Sequence, residues 1–545
     1  MPHPRYWTWL GSLLLAVIAA TLAWRWQSPG WGIVAMVSGL LGLIGTRDRL
    51  QPYSAVRRNY PLLAHFRFMI EAIRPEIRQY LLEHENEAMP FSRVQRSLVY
   101  QRAKNVVDKR PFGTLVDLYD DRYEWINHSL QPSHIDSHDF RIDIGGARCT
   151  RPYSCSVFNI SAMSFGSLSA NAILALNGGA KRGGFYHDTG EGSISRYHRE
   201  PGGDLVWEIG SGYFGCRNAE GGFDETRFVE NAALDQVRMI ELKLSQGAKP
   251  GHGGVLPAAK ITPEIAAARG IPMGVDCVSP AAHSAFSTPR ELLAFITRLR
   301  ELSGGKPVGF KLAIGHPWEW FAIAKAMHET GELPDFIVID GGEGGTGAAP
   351  LEFSDHMGTP LVEALRLVHN TLVGLGLRQQ MRVGAAGKIV SAFDIARCLA
   401  LGADWCNAAR GFMFALGCIQ SLSCHTDKCP TGVATQDPSR MRALDIGNKT
   451  DRVFHFHQNS LKALKELLAG AGLSHPAELG PEHIMRRVSP TEVRSLADFY
   501  PWHRGGELLG EGARLPHFER FWNAADAGSF QPPADLIARR RSKAL

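Results

Sequence analysis

The 545-residue chain is poor in cysteine, with nine in all, too few for a disulfide scaffold. It also lacks a strong charge of either sign: 59 Lys and Arg against 54 Asp and Glu leave a formal +5. That excess, partly local to the C-terminal "ARRRSKAL", gives no reason to infer nucleic-acid binding. Internal repeats and low-complexity tracts are missing, so nothing points to a repeat architecture. Two stretches match G-x-G-x-x-G, "GSGYFG" (210–215) and "GEGGTG" (342–347), but neither opens a helix. A dinucleotide fingerprint needs strand, loop and helix together, so both read as decoys. What is present is a 44% apolar, 21% charged composition, that of a folded protein with a sizeable core.

Long apolar runs occur at one end only. "WTWLGSLLLAVIAATLAW" (7–24) carries no charge and reaches the length a bilayer core demands; "WGIVAMVSGLLGLIG" (31–45) is shorter. Tryptophans sit at their ends, and Arg47, Arg49, Arg57 and Arg58 follow the second run while Arg25 alone lies in the connection. The asymmetry predicts a membrane hairpin with both ends in the cytoplasm and the enzyme on the cytoplasmic face. A signal peptide is the competing reading, weakened by the lack of a clear small-x-small cleavage site.

From about 55 to 135 the spacing predicts a helical lead-in, with "YPLLAHFRFMIEAIRPEIRQYLLEHE" broken at Pro75. Between about 150 and 415 short β-rich runs ending in glycine alternate with helical patterns. Eight candidate strands stand out: "SVFNISAM", "GGFYHDTG", "MIELKLS", "PMGVDCVS", "VGFKLAIG", "FIVIDGG", "RVGAAG" and "DWCNAARG". Eight alternating units predict an α/β fold, a (β/α)8 TIM barrel, over a doubly wound open sheet. The residues from about 436 read as amphipathic helix and loop. The domain plan is therefore a membrane hairpin (1–46), a helical lead-in (47–150), a barrel with a cysteine loop (151–435) and a helical extension (436–545).

Chemistry concentrates at the predicted strand ends. "VGAAGK" (383–388) and "AARGF" (408–412) follow the last two strands, where barrels often bind phosphate; ordinary tight turns are the alternative. Glu191, Lys243, Gln246, Lys249, Ser279 and Lys311 fall at strand ends that approach one face of a barrel. A lysine inside an apolar strand, as in "FKLAI", is costly to bury unless it meets an anion or an electron-rich ring. Cys418, Cys424 and Cys429 follow C-x5-C-x4-C, which is neither a zinc ribbon nor a ferredoxin run. A Cys3His zinc site through His425, a three-iron cluster taking one thiolate per iron, and reactive or structural cysteines all stay open on spacing alone.

Seven stretches together resemble the FMN-binding synthase domain of the glutamate synthase family, in its stand-alone, membrane-associated form: "SAMSFGSLS", "TGEG", "QGAKPGHGG", "FIVIDGGEGGTGAAP", "GLR", "LGADW" and "ALGCIQSLSCHTDKCPTGVATQDP". They span about residues 155 to 440. The resemblance implies a (β/α)8 barrel with FMN at the strand ends and a [3Fe-4S] cluster on Cys418, Cys424 and Cys429. It implies that Ala162, Met163, Ser164, Gln246, Lys311, Gly342, Gly387 and Gly411 surround the flavin. Glu191, Lys249, Arg269 and Ser287 would contact 2-oxoglutarate. The implied reaction reduces the imine of an oxo acid and ammonia to an amino acid, with electrons reaching FMN through the cluster from a donor protein or NAD(P)H subunit.

The chain also departs from the family pattern. Val255 stands where the family has glutamine, His252 replaces an acidic residue, and "GAAGK" replaces "DGGLK". The family's glutaminase domain has no counterpart, its place being taken by the hairpin and lead-in, so ammonia is expected from elsewhere. Two alternatives accompany this reading: an FMN/Fe–S oxidoreductase for another amine or oxo acid, or a membrane electron-transfer subunit.

Overall fold

The computed structural model describes residues 3–78, 82, 90–510 and 516–532; the basic C-terminal tail and part of the lead-in lie outside the described residues. The chain forms two compact units, Met1–Arg93 and Val94–Leu545.

The first unit is helical. Helices α1 (Trp7–Trp26) and α2 (Pro29–Leu50) pack on each other, reversing direction at Gln27, which takes a left-handed φ of 48°. Both are long and apolar enough to cross a bilayer, and their apolar windows are 6% and 17% buried. Trp9 Nε1 donates to Thr46 Oγ1 at 3.1 Å, tying the helices together. Beyond them, Asp48 accepts from Leu62 N at 3.2 Å and pairs with His65 at 2.8 Å. Helix Leu63–Ile77 runs through Pro75, where the sequence predicted a break.

The second unit is built on a closed barrel of eight strands. They are β1 (Phe158–Ile160), β2 (His187–Asp188), β3 (Leu205–Ile209), β4 (Val237–Lys243), β5 (Val308–Leu312), β6 (Phe336–Asp340), β7 (Arg382–Ala386) and β8 (Trp405–Ala408). All neighbouring pairs run parallel, and β8 closes on β1. The strands are apolar and mostly buried because helices cover the outside of the ring, as all-parallel sheets require. A hairpin of Arg141–Ile144 and Tyr153–Ser156 adds Ile144, Tyr153 and Cys155 to a core cluster with Val206, Met239, Val338 and Trp405.

Seven of the eight expected strands are barrel strands. The eighth, "PMGVDCVS", is not: Cys277–Val278 pairs antiparallel with Val255–Leu256 in a small separate ribbon within the long β4 loop. The missing strand is β3, "LVWEI", so Lys243 sits on the fourth strand and "GSGYFG" is the loop after the third. The expected alternation fails here because β2 and β3 are joined by a four-residue helix, Arg196–Arg199, not an ordinary crossover helix. Two further differences concern the flanks. Glu124–Ile126, Ile484–Ser489 and Glu492–Ser495 form a three-stranded antiparallel sheet where helix and loop were expected. Helix Arg93–Ala103 ends the helical part of the lead-in, and most of 104–135 is irregular.

Candidate active site

In a parallel barrel the loops after the strands share one rim, so chemistry assembles there. Glu191, in the loop after β2, pairs with Lys243 at the end of β4, Oε1 to Nζ being 3.0 Å. Gly210 and Gly254 flank the same carboxylate, and a Cβ at Gly254 would overlap its Oε1, so a side chain there would push the carboxylate from its present place. Lys249 and Arg269 complete the group. Lys249 Nζ donates to Ala348 O at 3.0 Å, and Arg269 Nη2 donates to Phe165 O at 3.2 Å. Lys243, Lys249 and Arg269 are all buried. Burial opposes the Glu191 anion, but Lys243, with Arg269 and Lys249, outweighs it and holds the carboxyl below its ordinary value. Burial, reinforced by Lys243, pushes Lys249 down to about 8. Three buried cations around one carboxylate leave a positive surplus, and the Nε of Arg269 has no hydrogen-bond partner.

The loops expected around a flavin converge beside this group. Ala162, Met163 and Ser164 follow β1, and Ser164 lies 3.5 Å from Arg269 Nη2. Gln246 and Lys249 share a turn pinned by Gly247 N donating to Asp340 Oδ2 at 2.8 Å. Gly342 follows β6, where Gly341 N donates to Ala386 O at 2.8 Å, bringing the β6 and β7 loops together. Gly387 adjoins Gly341 and Glu343, and Arg410 Nη2 reaches across to Glu343 O at 2.7 Å. Gly411 follows Arg410 and packs beside Ile389. Ser287 is exposed, and its hydroxyl donates to Glu291 Oε2 at 2.9 Å, where helix Pro289–Leu302 starts.

Lys311 belongs to a second charged group that its neighbours' sequences foreshadow only weakly. Glu208 on β3 and Glu241 on β4 are register partners, and Asp188 ends β2. Lys311 Nζ bonds Glu208 and lies 3.4 Å from Glu241 Oε1. The three carboxylates bring one oxygen each within 4.8 Å of one another. Burial, then Glu208, pushes Asp188 up to about 7, and burial, then Asp188, pushes Glu241 well up as well. The detectable signal was a glutamate inside each apolar run, "LVWEI" and "MIELK", matching the lysine in "FKLAI".

The three cysteines lie on one loop beyond the short helix Arg410–Leu416 that follows β8, and all are free thiols. Burial pushes Cys418 up to about 12, with Cys424 and Cys429 adding to the effect, so the sulfurs share one neighbourhood. They are not within the spacing of a single ion: among the described residues, the Asp188 group alone meets that test. The loop bends through left-handed Gln420, Leu422 and Asp427, whose φ values are 59°, 57° and 61°. Gln420 N donates to Cys418 Sγ at 3.5 Å, and Thr431 Oγ1 lies 3.4 Å from Cys429 Sγ. A spread wider than one ion does not suit a single zinc held by all three sulfurs.

A barrel with buried, charge-surplus loops at its strand ends defines the class of (β/α)8 enzymes. The family model "Conserved region in glutamate synthase" matches residues 132–474. The chain is 38% identical over 505 residues to the glutamate synthase large subunit-like protein YerD of Bacillus subtilis, covering 85% of this chain and 96% of that one. It is 36% identical over 315 residues to the archaeal-type glutamate synthase (NADPH) of Thermotoga neapolitana, covering 58% and 59%. The archaeal glutamate synthase (NADPH) of Methanocaldococcus jannaschii is 36% identical over 316 residues, with 58% and 59% covered. Among solved structures, a mutant flavocytochrome b2 with benzoylformate aligns at 13% identity with a TM-score of 0.42, covering 84% and 95%; the barrel stands on its own strand pairing. The chain belongs to the glutamate synthase family and is a glutamate synthase-like oxidoreductase.

Proposed function

We propose that the protein reduces the imine of an oxo acid and ammonia to an amino acid, with 2-oxoglutarate and glutamate the family default, using FMN and a [3Fe-4S] cluster. The observation that carries this is the positive surplus around Glu191, because a desolvated dicarboxylate needs charge-assisted partners. FMN would supply hydride chemistry and the cluster one-electron transfer. Lys249 and Arg269 bind and orient the substrate carboxylates. Lys243 holds Glu191 ionised, so that its carboxylate accepts a hydrogen bond from the substrate nitrogen. Ala162, Met163, Ser164, Gln246, Lys311, Gly342, Gly387 and Gly411 would hold the flavin; the close-packed small residues fit its ring and phosphate, and Lys311 would serve it from within its pairing with Glu208 and Glu241. Cys418, Cys424 and Cys429 would hold the cluster. The α1–α2 pair would tether the enzyme to the cytoplasmic face of a membrane, and a donor protein or NAD(P)H subunit would supply electrons.

The test is anaerobic purification with visible and EPR spectra, then a screen of oxo acids plus ammonia with an artificial reductant. Flavin and cluster signals with glutamate formed from 2-oxoglutarate support the reading. The same signals with no amino acid product from any oxo acid reject the reaction and favour the electron-transfer alternative.

A further inference from the structure

We propose that Lys260 is a positioning residue that clamps the cysteine loop to the loop after β1 and sets the electrostatic field at the metal centre. The proposal rests on the reading that Cys418, Cys424 and Cys429 hold an iron–sulfur cluster.

Lys260 is 2% exposed, and its Nζ donates to Ser167 O at 2.7 Å and Cys424 O at 3.1 Å. Ser167 lies in the loop carrying Ala162, Met163 and Ser164, so one ammonium joins the two loops expected to carry the two redox groups. Gln436 reinforces the join, its Nε2 donating to Gly166 O at 3.1 Å and Leu168 O at 2.9 Å. Lys260 therefore differs from the neutral clamp beside it in one respect, its charge. Burying an ammonium against two carbonyls is costly unless anionic groups compensate. Burial pushes Lys260 down; Asp427, Cys424 and Cys429 support its charge, and Arg269 opposes it. Asp427 is engaged in its own loop, its Oδ1 accepting from Gln436 N at 2.7 Å. Asp427 is the largest compensation for the ammonium and Cys424 and Cys429 come next, so the fixed positive charge lies beside the cysteine loop, where it favours the state of the centre that holds one more electron. Lys260 ends the turn Ala258–Lys260, and helix Pro263–Arg269 follows at once, so one short segment serves the metal loop at its start and the substrate group at its end.

The experiment is an EPR-monitored potentiometric titration of the full-length protein and its Lys260→Gln, Lys260→Met, Lys260→Arg and Gln436→Leu variants. The two neutral replacements of Lys260 differ in shape, so that one lost to misfolding leaves the other. At fixed potential the reduced-to-oxidised ratio of the centre should fall about tenfold in each neutral variant, the order expected for removing one charge from a buried site. Lys260→Arg and Gln436→Leu should keep the wild-type midpoint, since the first retains the charge and the second removes only a neutral clamp. Wild-type midpoints in Lys260→Gln and Lys260→Met overturn the proposal, as does an equal shift in Gln436→Leu or Lys260→Arg. A wild-type protein without iron or an EPR signal removes the cluster reading itself, and is distinguished by appearing before any substitution is made.

Discussion

Two groups of buried charge in the barrel are near opposites in sign. Around Glu191, three cations face one carboxylate; around Lys311, three carboxylates face one cation. Strand β4 serves both, contributing Glu241 to one and Lys243 to the other two residues on, on the same face of the strand. The carboxylate-rich group answers its surplus with protons, since Asp188 and Glu241 are both pushed up. The cation-rich group has no such remedy at neutral pH for Arg269, and under the proposed function its surplus would be met by the substrate carboxylates. The first group is a charge imbalance the fold does not cancel, whereas the second is one it does.

That contrast can be broken most forcefully at Lys311. Lys311→Met should cost about 3–5 kcal/mol of stability in denaturant unfolding, since it strands buried carboxylates. A loss below about 1 kcal/mol would mean the carboxyls are neutral without it. Next in size, Arg269→Ala and Lys249→Ala should each raise the oxo-acid KM about 10–100-fold in steady-state kinetics, the worth of one charge-assisted hydrogen bond, while leaving the unfolding midpoint near wild type. An unchanged KM would remove that residue from the site.

Titration sharpens the comparison further. Because Lys249 is pushed down to about 8, kcat/KM for the oxo acid should decline as pH rises through that value, and Lys249→Arg should carry the plateau to higher pH. Asp188 moves the opposite way: its folded value of about 7 lies above its ordinary 3.8, so the native state keeps a proton that the unfolded chain releases. Its contribution to stability is complete below about pH 4 and lost by about pH 7, with a slope of at most about 1.4 kcal/mol per pH unit. Asp188→Asn should flatten that slope in unfolding curves. The smallest effect belongs to Ser287→Ala, about 1 kcal/mol or less, with KM unchanged within about twofold, because its hydroxyl serves Glu291. A large rise in KM would return Ser287 to the substrate.

Local pattern carried much of the fold. "FIVID" and "VGFKLAIG" could be read because a buried parallel strand is a short apolar run ending in glycine. "LVWEI" has the same form and was missed because its neighbour β2 is two residues long and the linking helix is only one turn. "PMGVDCVS" misled for the converse reason: a β-rich run inside a long loop pairs with its own loop and not with the barrel. Glu191 and Lys249 stood out as charged residues at strand ends and Arg269 through the family resemblance, and the barrel brings the three together. The partners of Lys311 were not legible, since a glutamate in a strand gives no hint of which cation it will meet.

The residue order alone determined the two N-terminal apolar runs, the barrel class and the cysteine spacing, because each depends on composition or periodicity within a single stretch. Only the tertiary structure decided that Glu191 meets Lys243, that Lys311 is shared between carboxylates, and that Lys260 ties the cysteine loop to the loop after β1. Those pairings join residues tens to well over a hundred positions apart. Their energies depend on burial and on distances of a few ångströms, which exist only once the barrel closes.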